Sequence, residues 1–185
     1  IKLNGNMVVF AFPHRYSNFV SLATALTLSR IQAQASLVEQ VVKDHVKYGT
    51  SSSSRSTLTP AFFVNVYPFE TKLLAVRAFA KKSFRMPTFN DLYYADMGNS
   101  KLNPESALQY DLGFVLNKDW KQGIVDHFRL QVDGYYNTVY DKIVAYPKGQ
   151  QFRWTMLNLG KVHIKGFDAM AQVGLEPSKH RKVTA

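Results

Sequence analysis

The chain has 185 residues, no cysteine and a formal net charge of +10 at pH 7. Without cysteine there are no disulfides, thiol nucleophiles or thiolate metal sites. No run of eighteen or more apolar residues is present, so a transmembrane helix is excluded; a transmembrane β-barrel, whose signal per strand is much weaker, is not. The positive charge favours an anionic partner. Lys118, Lys121, Lys142, Lys148, Lys179, Arg181 and Lys182 are scattered through turns and strand ends instead of forming one arm. That spread points to lipopolysaccharide phosphate, and no nucleic-acid-binding motif is found.

In chain order, the stretch from Ser17 to Lys43 contains neither Gly nor Pro, and its apolar positions change phase between Leu28 and Ile31. It reads as one long strand carrying a bulge. A helix is the alternative, because Ile31, Ala35, Val38 and Val42 fall at i, i+4, i+7 and i+11. Ser51 to Ser54 is a polar loop tip, expected to be mobile and tolerant of insertion. Thr57 to Tyr67 and Leu73 to Phe84 read as partner strands across a turn at 67–72.

The clearest strand is Ala107 to Asn117, where Leu108, Tyr110, Leu112, Phe114 and Leu116 alternate with Ala107, Gln109, Asp111, Gly113, Val115 and Asn117. Phe128 to Tyr140 repeats the code, with Phe128, Leu130, Val132, Tyr136 and Tyr140 on one face and Arg129, Gln131, Asp133 and Asn137 on the other. Val162 to Leu175 places Phe167, Ala169, Ala171, Val173 and Leu175 opposite Asp168, Gln172 and Gly174, with Met170 on the polar side. A soluble antiparallel sheet shows the same alternation, so periodicity alone does not separate the two settings. Short turns are expected near 13–17, 67–72, 118–123 and 176–181, and longer loops at 44–56, 85–104 and 141–157. Outer-membrane barrels alternate short periplasmic turns with long extracellular loops in this way.

Two motifs carry a resemblance. The first runs Phe84-Arg85-Met86-Pro87-Thr88-Phe89-Asn90-Asp91-Leu92-Tyr93-Tyr94, then Gly98-Asn99 and Leu102-Asn103-Pro104-Glu105-Ser106. The second follows further along the chain, as Asn158-Leu159-Gly160-Lys161-Val162-His163-Ile164-Lys165-Gly166-Phe167-Asp168. Together they resemble the TonB-dependent outer-membrane receptors. Ser100 stands where Pro often follows Gly-Asn in that family, and Asn103 where Lys is common; neither alters the turn chemistry.

The resemblance implies an all-β fold, an antiparallel meander of about seven strands forming part of a large transmembrane β-barrel in the bacterial outer membrane. A barrel of about 22 strands needs far more chain, so residues 1–185 are expected to be barrel wall alone, without plug domain or signal peptide. The implied function is active transport of a scarce ligand (a metal chelate, a cobalamin or a glycan), energised by the TonB complex acting through a plug. Outer-membrane lipid is a further expected partner, as is a surface lipoprotein. A passive porin, and a soluble β-domain binding an anionic partner, are the alternatives.

Paired histidines at metal spacing, a phosphate-cradling glycine loop and a nucleophile elbow are all missing from the sequence. No catalytic residue, metal ligand or cofactor is therefore expected, and the chain is not read as an enzyme. Asp91, Tyr93, Tyr94, Asp96 and Asn99 combine aromatic faces with hydrogen-bonding groups on a loop, the usual place for recognition. They are the expected ligand contacts. Folding of this loop back on itself is the alternative for Asp91 to Asn99, and for Phe84 to Phe89 and Pro104-Glu105 that plainer reading is preferred. Gln109, Asp111, Arg129, Gln131, Asp133 and Asn137 are expected to face the barrel lumen, with Asp111 and Asp133 pairing with Arg129 or a plug.

Overall fold

The computed structural model describes residues 2–3, 7–8, 11–94, 97–120, 125–149 and 153–175. Strands β1 (Lys2–Leu3) and β2 (Met7–Val8) pair with each other. The main sheet is an antiparallel meander of seven strands in sequence order: β3 (Pro13–Thr27), β4 (Ile31–Val46), β5 (Arg55–Val66), β6 (Leu74–Arg85), β7 (Glu105–Asp119), β8 (Val125–Lys148) and β9 (Arg153–Leu175). One short helix, α1 (Phe89–Tyr93), lies in the loop between β6 and β7. The all-β expectation therefore holds.

Its N-terminal part needs correction. Residues 17–43 form neither one bulged strand nor a helix but a hairpin, registered from Pro13↔Val46 to Thr27↔Gln32. The turn closes where Leu28 N–H donates to the Ile31 carbonyl at 2.8 Å. Neither Ser29 nor Arg30 has a positive φ, so the reversal needs no glycine, and its one trace in the sequence is the phase change at that point. The expected turn at 13–17 lies inside β3. The expected loop at 141–157 is largely strand, since β8 and β9 stay paired from Tyr140↔Lys161 to Lys148↔Arg153. Beyond Tyr140, β8 has no partner on its β7 side, so Pro147, which has no N–H to donate, sits on an edge that does not need it. The expected turn at 176–181 and residues 121–123 lie outside the described residues.

Register divides the sheet into two faces. Across β6 to β9, Ala78, Leu112, Gly134 and Phe167 stand in one row, with Val76, Phe114, Val132 and Ala169 in the next on the same side. The opposite side carries Arg77, Gly113, Asp133 and Asp168 in a row that continues through Asn65, Gln32 and Thr27 on the earlier strands. Leu22, Leu112 and Phe167 on the apolar side are 74%, 63% and 78% exposed. A soluble sheet buries that side against a second layer. Here the second layer is absent among the described residues, and a continuous apolar face of this extent requires a nonaqueous neighbour.

Connections alternate between the two ends of the sheet. At one end are tight links, 28–30 and 67–73, together with the β7–β8 link. At the other are 47–54, the long 86–104 loop and the tip of the extended β8–β9 ribbon.

Candidate functional site

The 86–104 loop is a folded unit. Thr88 Oγ1 accepts from Asp91 N at 3.2 Å while Asp91 Oδ2 accepts from Thr88 N at 2.8 Å, a reciprocal capping box that starts α1. After the helix, Gly98 N–H donates to the Tyr94 carbonyl at 2.7 Å. A Cβ at Gly98 would fall 2.6 to 2.8 Å from the backbone of Leu92, Tyr93 and Tyr94, so the close return of the chain requires glycine. Leu92 and Leu102 are buried with Ile143 of β8, and Tyr93 and Met156 pack against them. This small apolar cluster stands beyond the ends of β6 and β7, against the extended β8–β9 ribbon.

Polar contacts tie the loop down on both flanks. On the β9 side, Asn99 Nδ2 donates to the Met156 carbonyl at 3.1 Å, and Met156 N–H donates to the Met97 carbonyl at 3.0 Å. Asn158 accepts from Asn103 N at 2.8 Å and donates through Nδ2 to the carbonyls of Asn103 (2.9 Å) and Asp141 (2.8 Å). The two sequence motifs are therefore one structural unit. On the β3–β4 side, the Arg15 guanidinium lies 5.0 Å from the centre of the Phe89 ring while pairing with Asp44 at 2.7 and 2.8 Å. Ser52 N–H donates to the Tyr93 hydroxyl at 2.9 Å. Ser52 is buried while Ser53 and Ser54 are exposed, so the tyrosine anchors one residue of the serine tip. Burial pushes the Tyr93 phenol above its usual value.

Glu105 closes the base of the loop. It lies directly across from Arg85, which donates to Glu105 Oε2 at 2.8 Å, and Ile143 N–H donates to Oε1 at 2.6 Å. The Arg85 hydrogen bond, the Ile143 amide and the charges of Arg85 and Lys142 outweigh burial and draw its carboxyl down to about 2. The expected strand restart at Pro104-Glu105 holds, since β7 begins at Glu105; the clasp on Arg85 and Ile143 is a further role that the sequence reading did not include. The available signal is an arginine and a glutamate at the two strand ends bracketing one loop.

Of the expected ligand contacts, Asp91, Tyr93 and Asn99 have their polar groups engaged within the chain. Tyr94 is 56% exposed, and Asp96 lies outside the described residues. Gln109, Asp111, Arg129, Gln131, Asp133 and Asn137 share the polar face, as Gln109↔Asn137 and Gly113↔Asp133 in register require. The partner of Asp133 differs from expectation. Arg77, on β6, reaches across Gly113 of β7 to both Asp133 oxygens at 2.6 Å, and Gln131 donates to Asp133 Oδ2 at 2.9 Å. Arg129 turns instead toward Gln131, at 3.4 Å. No group of three metal-ligating side chains occurs among the described residues.

A meander with one apolar face, one polar face and a structured loop folded over the polar side is the wall of a transmembrane barrel at its mouth. Residues 15–177 match the family described as TonB dependent receptor-like, beta-barrel, and the chain belongs to it. It is 29% identical over 98 residues to the vitamin B12 transporter BtuB of Vibrio vulnificus (strain YJ016), covering 53% of this chain and 15% of that protein. It is 29% identical over 138 residues to BtuB of Photobacterium profundum, covering 69% and 19%. The chain thus spans less than a fifth of the curated relatives it matches. Among solved structures, the FrpB iron transporter from Neisseria meningitidis (F3-3 variant) superposes with a TM-score of 0.66 at 19% identity, over 89% of this chain and 24% of that one. The copper transporter OprC gives 0.64 at 18% identity, over 89% and 27%. These likenesses establish the barrel fold, and the family is one of receptors, not enzymes.

Proposed function

We propose that this chain is wall of a bacterial outer-membrane receptor that actively transports a scarce ligand, a metal chelate, a cobalamin or a glycan, with energy from the TonB complex. In this reading residues 1–185 contribute barrel alone, and a plug elsewhere in the same protein closes the lumen and couples to TonB. Gln109, Asp111, Arg129, Gln131, Asp133 and Asn137 line the lumen, where water or the plug satisfies polar groups that lipid would not.

The observation that carries the reading is the packed 86–104 loop, held over the polar face by Asn158, Glu105 and the Leu92–Leu102–Ile143 cluster. A receptor needs a shaped surface at the barrel mouth, and ordering that surface in advance lowers the entropic cost of capture. Tyr94 and Asp96 are the proposed direct contacts. Asp91, Tyr93 and Asn99 contribute by holding the loop in shape. The curated relatives named for vitamin B12 make a cobalamin the first ligand to test.

The test is uptake by cells lacking the whole protein, with cobalamin, a ferric chelate or a glycan as the limiting nutrient. Uptake of one of these is expected to fall, to be restored by the intact gene, and to require TonB. Restored uptake that is indifferent to TonB would establish a passive pore and overturn the proposal.

A further inference from the structure

The apolar face of β9 ends abruptly. Phe167, Ala169, Ala171, Val173 and Leu175 occupy its outward positions, and the next three outward residues toward the loop end are Lys165, His163 and Lys161. A transmembrane strand takes about 9–11 residues, so the stretch from Phe167 to Leu175 fills the hydrocarbon layer and the basic series begins at its edge. The neighbouring strands mark the same level. Lys165 stands beside Tyr136, which stands beside Tyr110, and His163 shares its row with Lys82 on β6. Tyrosines at this height form an interfacial girdle. By register, no Asp or Glu occupies these three outward rows on β6 to β9.

The side chains are arranged for an anion. The ring of His163 stacks on Tyr136, with centroids 5.7 Å apart, and its Nδ1 is 2.7 Å from the Tyr136 hydroxyl and 3.2 Å from Thr138 Oγ1. With Nδ1 accepting a hydroxyl proton, Nε2 carries the ring proton and is the donor left for a ligand. Lys161 rests over the Tyr140 ring, its Nζ 5.3 Å from the centroid, which holds the ammonium at the same surface. Successive outward residues on a strand are about 7 Å apart, so the three basic groups form a ladder of roughly 13 Å.

We propose that this ladder is a binding site for the phosphate-bearing headgroup of an anionic lipid in the leaflet at the loop end of the barrel. The acyl chains lie along the Phe167–Leu175 band, and the phosphates meet Lys165, His163 and Lys161. The inference rests on the barrel reading above and adds to it a specific lipid contact that is distinct from the transported ligand.

The experiment uses the whole folded protein in detergent micelles and fluorescent bis-phosphorylated lipid A as probe. Each lysine near an anionic surface contributes about fivefold in affinity, so Lys161→Gln with Lys165→Gln is expected to weaken binding about 25-fold. Lys161→Arg with Lys165→Arg is expected to retain it, as is Lys118→Gln, near the opposite end of the sheet in the row of Val173. If the double glutamine variant does not yield a heat-modifiable barrel, Lys165→Gln alone is expected to cost about fivefold. The proposal is overturned by undiminished binding in folded glutamine variants, or by equal binding of lipid A stripped of its phosphates. Displacement by millimolar inorganic phosphate alone would also overturn it, assigning the site to the free anion. A wild-type protein that forms no heat-modifiable barrel overturns the barrel reading as well, so the two failures are distinct.

Discussion

Glu105→Gln tests whether the loop is held by one buried carboxylate. Glu105 lies at the loop end of β7, beyond the girdle residue Tyr110, outside the membrane-spanning band. A carboxyl drawn from 4.5 to about 2 contributes about 3 kcal/mol to the folded state at neutral pH. Glutamine keeps an acceptor for the Ile143 amide but loses the charge that pairs with Arg85, so about 2 kcal/mol is expected to be lost. That raises loop opening about thirtyfold. Hydrogen exchange at the amides of Leu102 and Ile143 is the assay, because it reads local opening where global unfolding of a barrel does not. The same carboxylate sets a pH dependence. Its folded value lies below the ordinary one, so the stabilisation is complete above about pH 4.5 and disappears as pH falls toward 2. Protection in the variant should therefore be weaker than wild type at pH 7 and converge with it under acid. Unchanged protection, or a loss spread evenly over the strands, would refute the reasoning.

Three further substitutions probe separate links. Gly113→Ala places a methyl group on Asp133 Oδ1 and 2.8 Å from the Val132 carbonyl, displacing the Arg77 ion pair. It should lower the temperature of heat-modified gel migration, with a cost of about 1–3 kcal/mol, whereas Gly134→Ala, whose added atom meets nothing closer than 3.8 Å, should not. Leu102→Ala removes a side chain only 2% exposed and is expected to cost about 2–5 kcal/mol of loop stability, seen as rapid proteolysis within 86–104 while the strands stay resistant. Asn158→Ala removes the links to Asn103 and Asp141 together and should loosen the loop on β9 with Ile143 exchange increased; unchanged exchange would mean that the Met156 and Glu105 contacts and the apolar cluster suffice to hold it.

The strands that were legible in the sequence are those whose two faces meet different surroundings. β7, β8 and β9 alternate because every second residue faces an apolar medium; the first family motif spans the 86–104 loop with the strand ends it joins, and the second lies within β9. The β3–β4 turn was hidden because Ser29 and Arg30 reverse the chain without a positive φ, so no glycine or proline marks it. The upper ribbon was hidden for a related reason. Pro147 and the polar residues around it look like loop, yet a strand pair with one open edge tolerates them. Pro60 shows the same device: it pairs with Leu37 on β4, while pairing of β5 with β6 begins one residue later at Ala61. The loop's character was the least legible of all. The capping box was written in Thr88 and Asp91, but the partners that fix the loop, Ser52, Ile143, Met156 and Asn158, come from segments far apart in sequence. Arg77, likewise, reaches Asp133 only because glycine occupies the strand between them.

The central claim is that one face of this sheet meets lipid and the other a polar lumen. The chain has no cysteine of its own, so single replacements can carry a fluorophore without background from this region. Leu112→Cys, Phe114→Cys and Phe167→Cys, set against Gln109→Cys, Asp111→Cys and Asn137→Cys, should be labelled in the whole protein and reconstituted with brominated lipid. The account predicts strong quenching in the first set and little in the second, alternating along β7. Equal quenching in both sets, or none in either, would contradict it.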